Sequence, residues 1–331
     1  MSSAPSVQRT GRLHHHNEFP GDAVLVVDKP TGMSSHAVVK KVKRRLGASK
    51  VGHSGTLDPF ATGVLIVLIN NATKLTRFLA EQKKKYRFSV YFGIETDTQD
   101  STGKMVASRP CKPLRNNEIN RACAAFIGEI EQRVPRYSAV RVKGKRLYQL
   151  ARQGVQITPP SRKVKIESFT LRELKWPEAT FEVTCSKGTY IRSLGVDLAR
   201  YLNCCSHVSQ LRRLASGGFD LDRAVPLEKL DGIVSKGELD QVLIPLAQAL
   251  HDYPELRVSH PAAKKLRQGR ILHGTEFQAG EHGRALLKGP YKVLDPEDNL
   301  VAMVVKSDDE ALNNGEENTS KLEILRVFAS G

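Results

Sequence analysis

Cysteine is scarce and shows no pairing. The five residues stand at 111, 123, 185, 204 and 205, with no Cys-x-x-Cys spacing. That pattern argues against a disulfide framework and against a structural zinc site, and it leaves Cys204 and Cys205 as packing residues. No run of about 18 apolar residues occurs, so no membrane-spanning helix is expected. Residues 1–20 lack the apolar core of a secretion signal and read as a loose polar leader of a cytoplasmic protein. His14, His15 and His16 fall in that leader and read as incidental rather than metal-binding. The chain has no P-loop, no Gly-x-Gly-x-x-Gly after a strand, no His-Glu-x-x-His and no Gly-x-Ser-x-Gly. Nucleotide hydrolysis, dehydrogenation, zinc proteolysis and α/β-hydrolase chemistry therefore lose support. Negative charge is also in the minority: 35 Asp and Glu stand against 51 Lys and Arg, a net charge of +16. A field of that sign favours polyanionic partners.

What is present describes a globular chain of 331 residues, 40% of them hydrophobic, enough for one large and one small core. Ala23–Val27 is a buried strand that ends at the turn Asp28-Lys29-Pro30-Thr31-Gly32. Ser34 or Ser35 caps a helix with apolar Val38, Val39, Val42 and Leu46, and its other face carries Lys40, Lys41, Lys43, Arg44 and Arg45. That cationic face reads first as solvated and nearly as readily as touching phosphates. Gly52 to Gly63 reads as a loop feeding a strand over 64–69, and 74–81 as a short helix. Tyr86, Phe88, Val90 and Phe92 alternate with polar residues on a half-buried strand. Residues 133–163 are basic and polar, interrupted by Tyr137 and Tyr148. Aromatics among cations suit RNA, since rings stack on bases while cations meet phosphates. Phe181–Cys185 is a strand, and Ile191, Leu194 and Leu198 mark a helix, which places Arg192 at a strand-to-helix junction. Residues 226–254 read as a helical connection. From 255 to 331 short apolar runs separated by turns suggest a small β domain, with the acidic, Asn-rich stretch 307–319 as a loop.

One carboxylate stands out. Asp58 lies in a loop bounded by Gly52, Gly55, Pro59 and Gly63. An aspartate before proline is ordinarily a turn residue. A carboxylate can also attack a sugar C1′, as in glycosidases, provided a guanidinium holds it ionised and aimed. The residues alone reach a carboxylate nucleophile in a basic, RNA-binding protein and do not name the reaction.

The ordered set of motifs does. Val27-Asp-Lys29-Pro30-Thr-Gly-Met-Ser-Ser35, Gly52-His-Ser-Gly-Thr-Leu-Asp58-Pro59, Lys85-Tyr86-Arg87, Thr96-Asp97-Thr98, Pro135-Arg-Tyr137, Cys185-Ser-Lys-Gly188-Thr-Tyr190-Ile-Arg192 and Leu211-Arg-Arg213-Leu214 together resemble the TruB family of tRNA pseudouridine synthases over about residues 23–230. Residues 255–328 are more faintly similar to the PUA-type RNA-binding module. The resemblance implies an α+β fold over 21–250, with a central mixed, mainly antiparallel sheet flanked by helices, followed by a β-barrel-like PUA domain over 255–331. It implies isomerisation of uridine-55 in the T-loop without cofactor or metal. It further implies Asp58 as nucleophile, Tyr86 against the target base as a candidate for proton transfer, Arg192 paired with Asp58, and Leu211 closing the apolar wall. Lys29 and Pro30 would support the site, Tyr190 would pack beside it, and His53 would fill space left by flipped bases. Arg141, Lys143, Lys145 and Arg146 would belong to an RNA-gripping insertion over 133–163. The expected partner is the T-arm of tRNA, met by a monomer with no obligatory protein partner. Ser54, Phe60 and Asn70-Asn71 depart from the usual bacterial pattern, and His-Ser-Gly also occurs in guide-RNA-dependent, dyskerin-like relatives. Residues 144–154 favour the stand-alone type over that alternative. The trio Asp58, Tyr86 and Arg192 argues against a non-catalytic RNA chaperone.

Overall fold

A computed structural model describes residues 21–142, 144–270, 272, 276–279, 289–306 and 322–328. Lys143, the leader 1–20 and the acidic stretch 307–319 lie outside the described residues.

The chain begins with β1 (Ala23–Lys29), α1 (Ser35–Leu46), β2 (Val51–His53), β3 (Thr62–Ile69), α2 (Thr76–Glu81) and β4 (Lys84–Phe92). The hairpin β5 (Ile94–Thr96) and β6 (Met105–Ser108) leads to α3 (Asn116–Ala125) and β7 (Gly128–Arg133). A small outlying hairpin, β8 (Arg141–Val142) and β9 (Lys145–Arg146), runs into α4 (Leu147–Arg152). Then come β10 (Ser161–Lys175), β11 (Glu178–Cys185), α5 (Ile191–Tyr201), β12 (Ser206–Ser216), β13 (Phe219–Asp220), β14 (Val225–Pro226), α6 (Leu230–Lys236), β15 (Leu243–Ile244) and α7 (Leu246–Ala249). The last part holds β16 (Glu255–Val258), α8 (His260–Arg267), β17 (Phe277–Ala279), β18 (Pro290–Leu294), β19 (Leu300–Lys306) and β20 (Leu322–Val327).

The main sheet runs β14-β1-β3-β12-β4-β11-β10-β7, with β2 added to β3, β13 to β12 and β15 to β1. Only β1–β14 and β3–β12 pair in parallel, so the sheet is mixed and mainly antiparallel. The expected α+β architecture is therefore present. Periodicity explains which faces are covered. β1 and β3 are apolar on both faces because both are buried, as strands inside a layered domain must be. Leu25, Val27, Leu65, Val67 and Ile69 meet Val38, Val42 and Leu46 of α1. Val24, Val26, Val64, Ile66 and Leu68 face Phe78 and Leu79 of α2 on the other side. β4 turns Tyr86, Phe88, Val90 and Phe92 to one buried face, packed with Leu194 and Leu198 of α5 and Ile119 of α3.

Three boundaries differ from the sequence reading. Gly52 and His53, expected in a loop, belong with Val51 to β2 on the edge of β3, because three residues are too few to display a period. Residues 161–163 open β10 and pair with β7, so the outlying part of the insertion ends before them. Within 226–254, β14 and β15 both add to β1, which makes that connection part of the main sheet. The C-terminal strands form a five-stranded sheet, β17-β16-β18-β19-β20. Leu294, Leu300, Met303 and Phe328 of that part share a core with α2 and β1.

Gly63 is where β1, β3 and β12 meet, paired to Lys29 on one side and Arg213 on the other. Its φ is +101°, and a Cβ there would lie 2.2 Å from the Arg213 carbonyl oxygen. Only glycine satisfies both demands. Gly63→Ala is expected to cost about 2–4 kcal/mol through backbone strain and overpacking, measured by urea unfolding; a loss below about 0.5 kcal/mol would show that the junction yields.

Candidate active site

The loop between β2 and β3 is tied to the start of α1. The Ser34 side chain caps that helix by accepting from Ala37 N, as an N-cap serine should. The next hydroxyl, Ser35 Oγ, accepts from Leu57 N at 2.8 Å and donates to Leu57 O at 3.0 Å. Gly32 N donates to Pro59 O, and Ala61 N donates to Asp58 O. Asp58 is thus bracketed by backbone bonds on both sides, and its side chain stays partly exposed.

Arg192 holds that side chain. It occupies the first turn of α5, and its side chain is 3% exposed against 33% for Asp58. Nε donates to Asp58 Oδ2 at 2.8 Å, Nη1 to the Thr98 carbonyl at 2.7 Å and Nη2 to the Tyr137 carbonyl at 2.9 Å. Asp100 Oδ2 stands 3.8 Å from Nη1. A guanidinium supplies donors in a fixed planar fork, which suits three acceptors at set angles. Thr98 is placed by its own turn, where Asp100 Oδ1 accepts from Thr98 Oγ1, Thr102 N and Thr102 Oγ1.

Two further cations are buried beneath the loop. Lys29 is wholly buried, and its Nζ donates to the carbonyls of Pro30, Met33 and Pro59. Burial brings its pKa down to about 8; the Asp58 carboxylate opposes that shift and Arg213 adds to it. Arg213 is 1% exposed. Its Nε donates to Val64 O at 2.6 Å and its Nη2 to Gly55 O at 3.1 Å. Tyr86 is buried on β4 opposite Arg213. Burial raises its phenol above the ordinary range, with the Arg213 guanidinium pulling the other way, so the hydroxyl stays protonated at neutral pH. Tyr86, Leu57, Ala61 and Leu211 lie in one apolar cluster that forms the wall beside Asp58. Burial also lowers the His53 pKa, helped by Arg213 and His36; its Nδ1 is buried without a hydrogen-bond partner. A neutral, unsatisfied imidazole can take a bond from an incoming base.

Asp58, Arg192, Tyr86, Leu211, Lys29, Pro30 and His53 therefore meet in one place. Tyr190 stands at the N-cap of α5, its backbone N and O both bonded to the buried Gln132 side chain, and the Arg162 guanidinium lies 5.2 Å over its ring. Arg141, Lys145 and Arg146 are on the β8–β9 hairpin and exposed. Tyr137 links that region to the site through its carbonyl. Arg213, Asp100 and Gln132 carry site contacts that motif reading left without a role. Two had a signal: Arg213 shares the inward face of β12 with Leu211, and Gln132 that of β7 with Ile130. A charged or amide side chain in an apolar alternation is a buried partner waiting to be named.

Residues 43–191 match the family profile for the TruB family pseudouridylate synthase N-terminal domain, and 192–251 that for the tRNA pseudouridylate synthase B C-terminal domain. The chain is 44% identical to the tRNA pseudouridine synthase B of Syntrophobacter fumaroxidans, over 85% of this chain and 92% of the relative. It is 38% identical to that of Syntrophotalea carbinolica, over 94% and 99%. Among solved structures, an H/ACA ribonucleoprotein bound to a substrate RNA containing 2′-deoxyuridine aligns with a TM-score of 0.71 at 24% identity, covering 93% of this chain and 85% of that one. At that identity the likeness speaks for the fold.

Lys29 makes the electrostatics testable. Between pH about 8 and 10.5 the folded chain has released the Lys29 proton and the unfolded chain keeps it. The unfolded state then binds more protons, so this residue makes stability rise with pH across that window. The unfolding free energy of the wild type minus that of Lys29→Met should grow between pH 7.5 and pH 10 in urea titrations; a constant or shrinking difference would contradict a depressed pKa.

Proposed function

The chain belongs to the TruB family of pseudouridylate synthases, and from that premise we propose that it isomerises uridine-55 in the T-loop of tRNA with Asp58 as nucleophile. It is a tRNA pseudouridine synthase, an isomerase. The observation that carries the catalytic assignment is the Asp58 carboxylate, one-third exposed, held from behind by a buried guanidinium.

The chemistry follows from those positions. The target base must leave the folded T-loop, which costs a few kcal/mol of unstacking. His53 and the apolar wall of Leu57, Ala61 and Leu211 receive what is displaced. Asp58 takes the sugar C1′ as the bond to N1 breaks, so the uracil leaves as an anion. The uracil turns within the pocket, its C5 bonds to C1′, and the Asp58 carboxylate departs unchanged. The C5 proton is lost and N1 gains one, so nothing is added or removed. Tyr86 would lie against the base and relay the proton, its phenol giving one to N1 and the resulting phenolate taking the one lost from C5. Arg192 keeps Asp58 ionised and oriented throughout.

Residues 255–331 would form a PUA-like RNA-binding unit. Its α8 ends on Lys264, Lys265 and Arg267, and its sheet is anchored on α2. The exposed cations Arg141, Lys145 and Arg146, with Tyr148 between Arg146 and Arg152, suit the RNA-gripping role of the insertion. Among the described residues no helix is long and apolar enough to cross a membrane, and we assign the protein to the cytoplasm as a monomer acting without an obligatory partner. The guide-RNA-dependent alternative rests on fold likeness at 24% identity, against 44% for the tRNA enzyme.

Asp58→Asn should cut conversion of a T-arm stem-loop by at least about a thousandfold while RNA affinity stays within a few fold; wild-type turnover would remove Asp58 from the mechanism. Arg192→Lys should also be severely slowed, because an ammonium cannot serve three acceptors in the fork geometry. Near-normal single-turnover rates for that variant would refute the aiming role.

A further inference from the structure

Helix α1 carries a second feature that the reaction does not use. Its sequence, Ser-His-Ala-Val-Val-Lys-Lys-Val-Lys-Arg-Arg-Leu, contains no acidic residue. Val38, Val39, Val42 and Leu46 turn inward. His36, Lys40, Lys43 and Arg44 stand at i, i+4, i+7 and i+8 and therefore share the opposite face. All four are exposed. Arg45 lies to the side and pairs with Asp231 of α6. Among the described residues no carboxylate forms an ion pair with Lys40, Lys43 or Arg44; Asp231 reaches Arg44 only through its field.

The placement of this face matters more than its charge. Ser35 at its start holds the Asp58 loop by two hydrogen bonds, and His36 is near enough to His53 to bias its protonation. The stripe thus begins next to the residue bonded to the Asp58 loop and runs along the helix for about 12 Å at 1.5 Å per residue. A solvated helix face normally mixes both signs so that neighbours pair. A row of one sign, left unpaired and starting at the reaction centre, repels itself unless an anion lies along it.

We propose that the face of α1 formed by His36, Lys40, Lys43 and Arg44 is a track for the phosphodiester backbone of the RNA strand leaving the Asp58 site. The proposal rests on the tRNA reading above and adds a binding surface to it. The ligand is the sugar–phosphate backbone, taken without base recognition. Its energy is counterion release, which is read as salt dependence.

The test compares three proteins: wild type, Lys40→Gln/Lys43→Gln/Arg44→Gln, and a control with Lys104→Gln/Lys112→Gln/Arg121→Gln, three exposed cations elsewhere on the surface. Each is titrated with an unmodified T-arm stem-loop across a KCl series, and wild-type conversion is assayed in parallel. The α1 variant should lose at least about tenfold in affinity at 0.1 M salt, with the slope of log K against log salt shallower by about 0.7–0.9 per lost contact. Thermal melting should match the wild type, and the control should keep the wild-type slope. An unchanged slope and affinity in the α1 variant, with wild type converting normally, overturns the track and leaves the enzyme assignment standing. Equal losses in the α1 variant and the control would also overturn it, since only the general field would then be at work. A wild type that neither binds nor converts the stem-loop would sink both.

Discussion

The buried guanidinium of Arg192 is the constraint on which the rest of the site depends. It is almost wholly enclosed, so every donor it brings must be answered. The answers come from three separate stretches: Asp58 before β3, Thr98 in the turn after β5, and Tyr137 at the entry to the insertion. A charge that is expensive to bury is tolerable only where such partners exist, so the ion pair sets the geometry as much as the geometry sets the ion pair. The same link joins the Asp58 loop to the basic segment that begins near Tyr137.

Lys29 and Arg213 extend the principle below the loop. Both direct donors to carbonyls: Lys29 to Pro30, Met33 and Pro59, Arg213 to Val64 and Gly55. Backbone that would otherwise need water is satisfied by side chains, and the loop is rigid without regular structure. Gly63 permits this by letting β12 approach closely enough for Arg213 to pass beneath. The price is a set of depressed or strained groups, which is what a preorganised site commonly shows.

Much of this was legible in the sequence because the signals were local. The period of Val38, Val39, Val42 and Leu46 defined α1, the alternation of Tyr86 to Phe92 defined β4, and the ordered motifs placed Asp58, Tyr86 and Arg192 together. What escaped was either too short or non-local. Val51–His53 and the two-residue strands β14 and β15 carry no readable period and exist through pairing with distant partners. Arg213 sat inside a quoted motif, yet its role is visible only once β12 lies beside β3. Asp100 works through a turn whose purpose is to present the Thr98 carbonyl to a helix ninety-odd residues later. The α1 cations are plain in the sequence, and the choice between a solvated face and a phosphate-contacting one depends on where the helix begins.

The central claim is that one chain, through Asp58, performs the whole isomerisation on tRNA. The most direct measurement is nucleotide-resolution mapping of pseudouridine after the purified protein alone meets total unmodified tRNA. The account predicts new pseudouridine at position 55 of the T-loop with wild type, and none with Asp58→Asn. Modification spread over other uridines with position 55 untouched, or none until further proteins or a guide RNA are added, would contradict it.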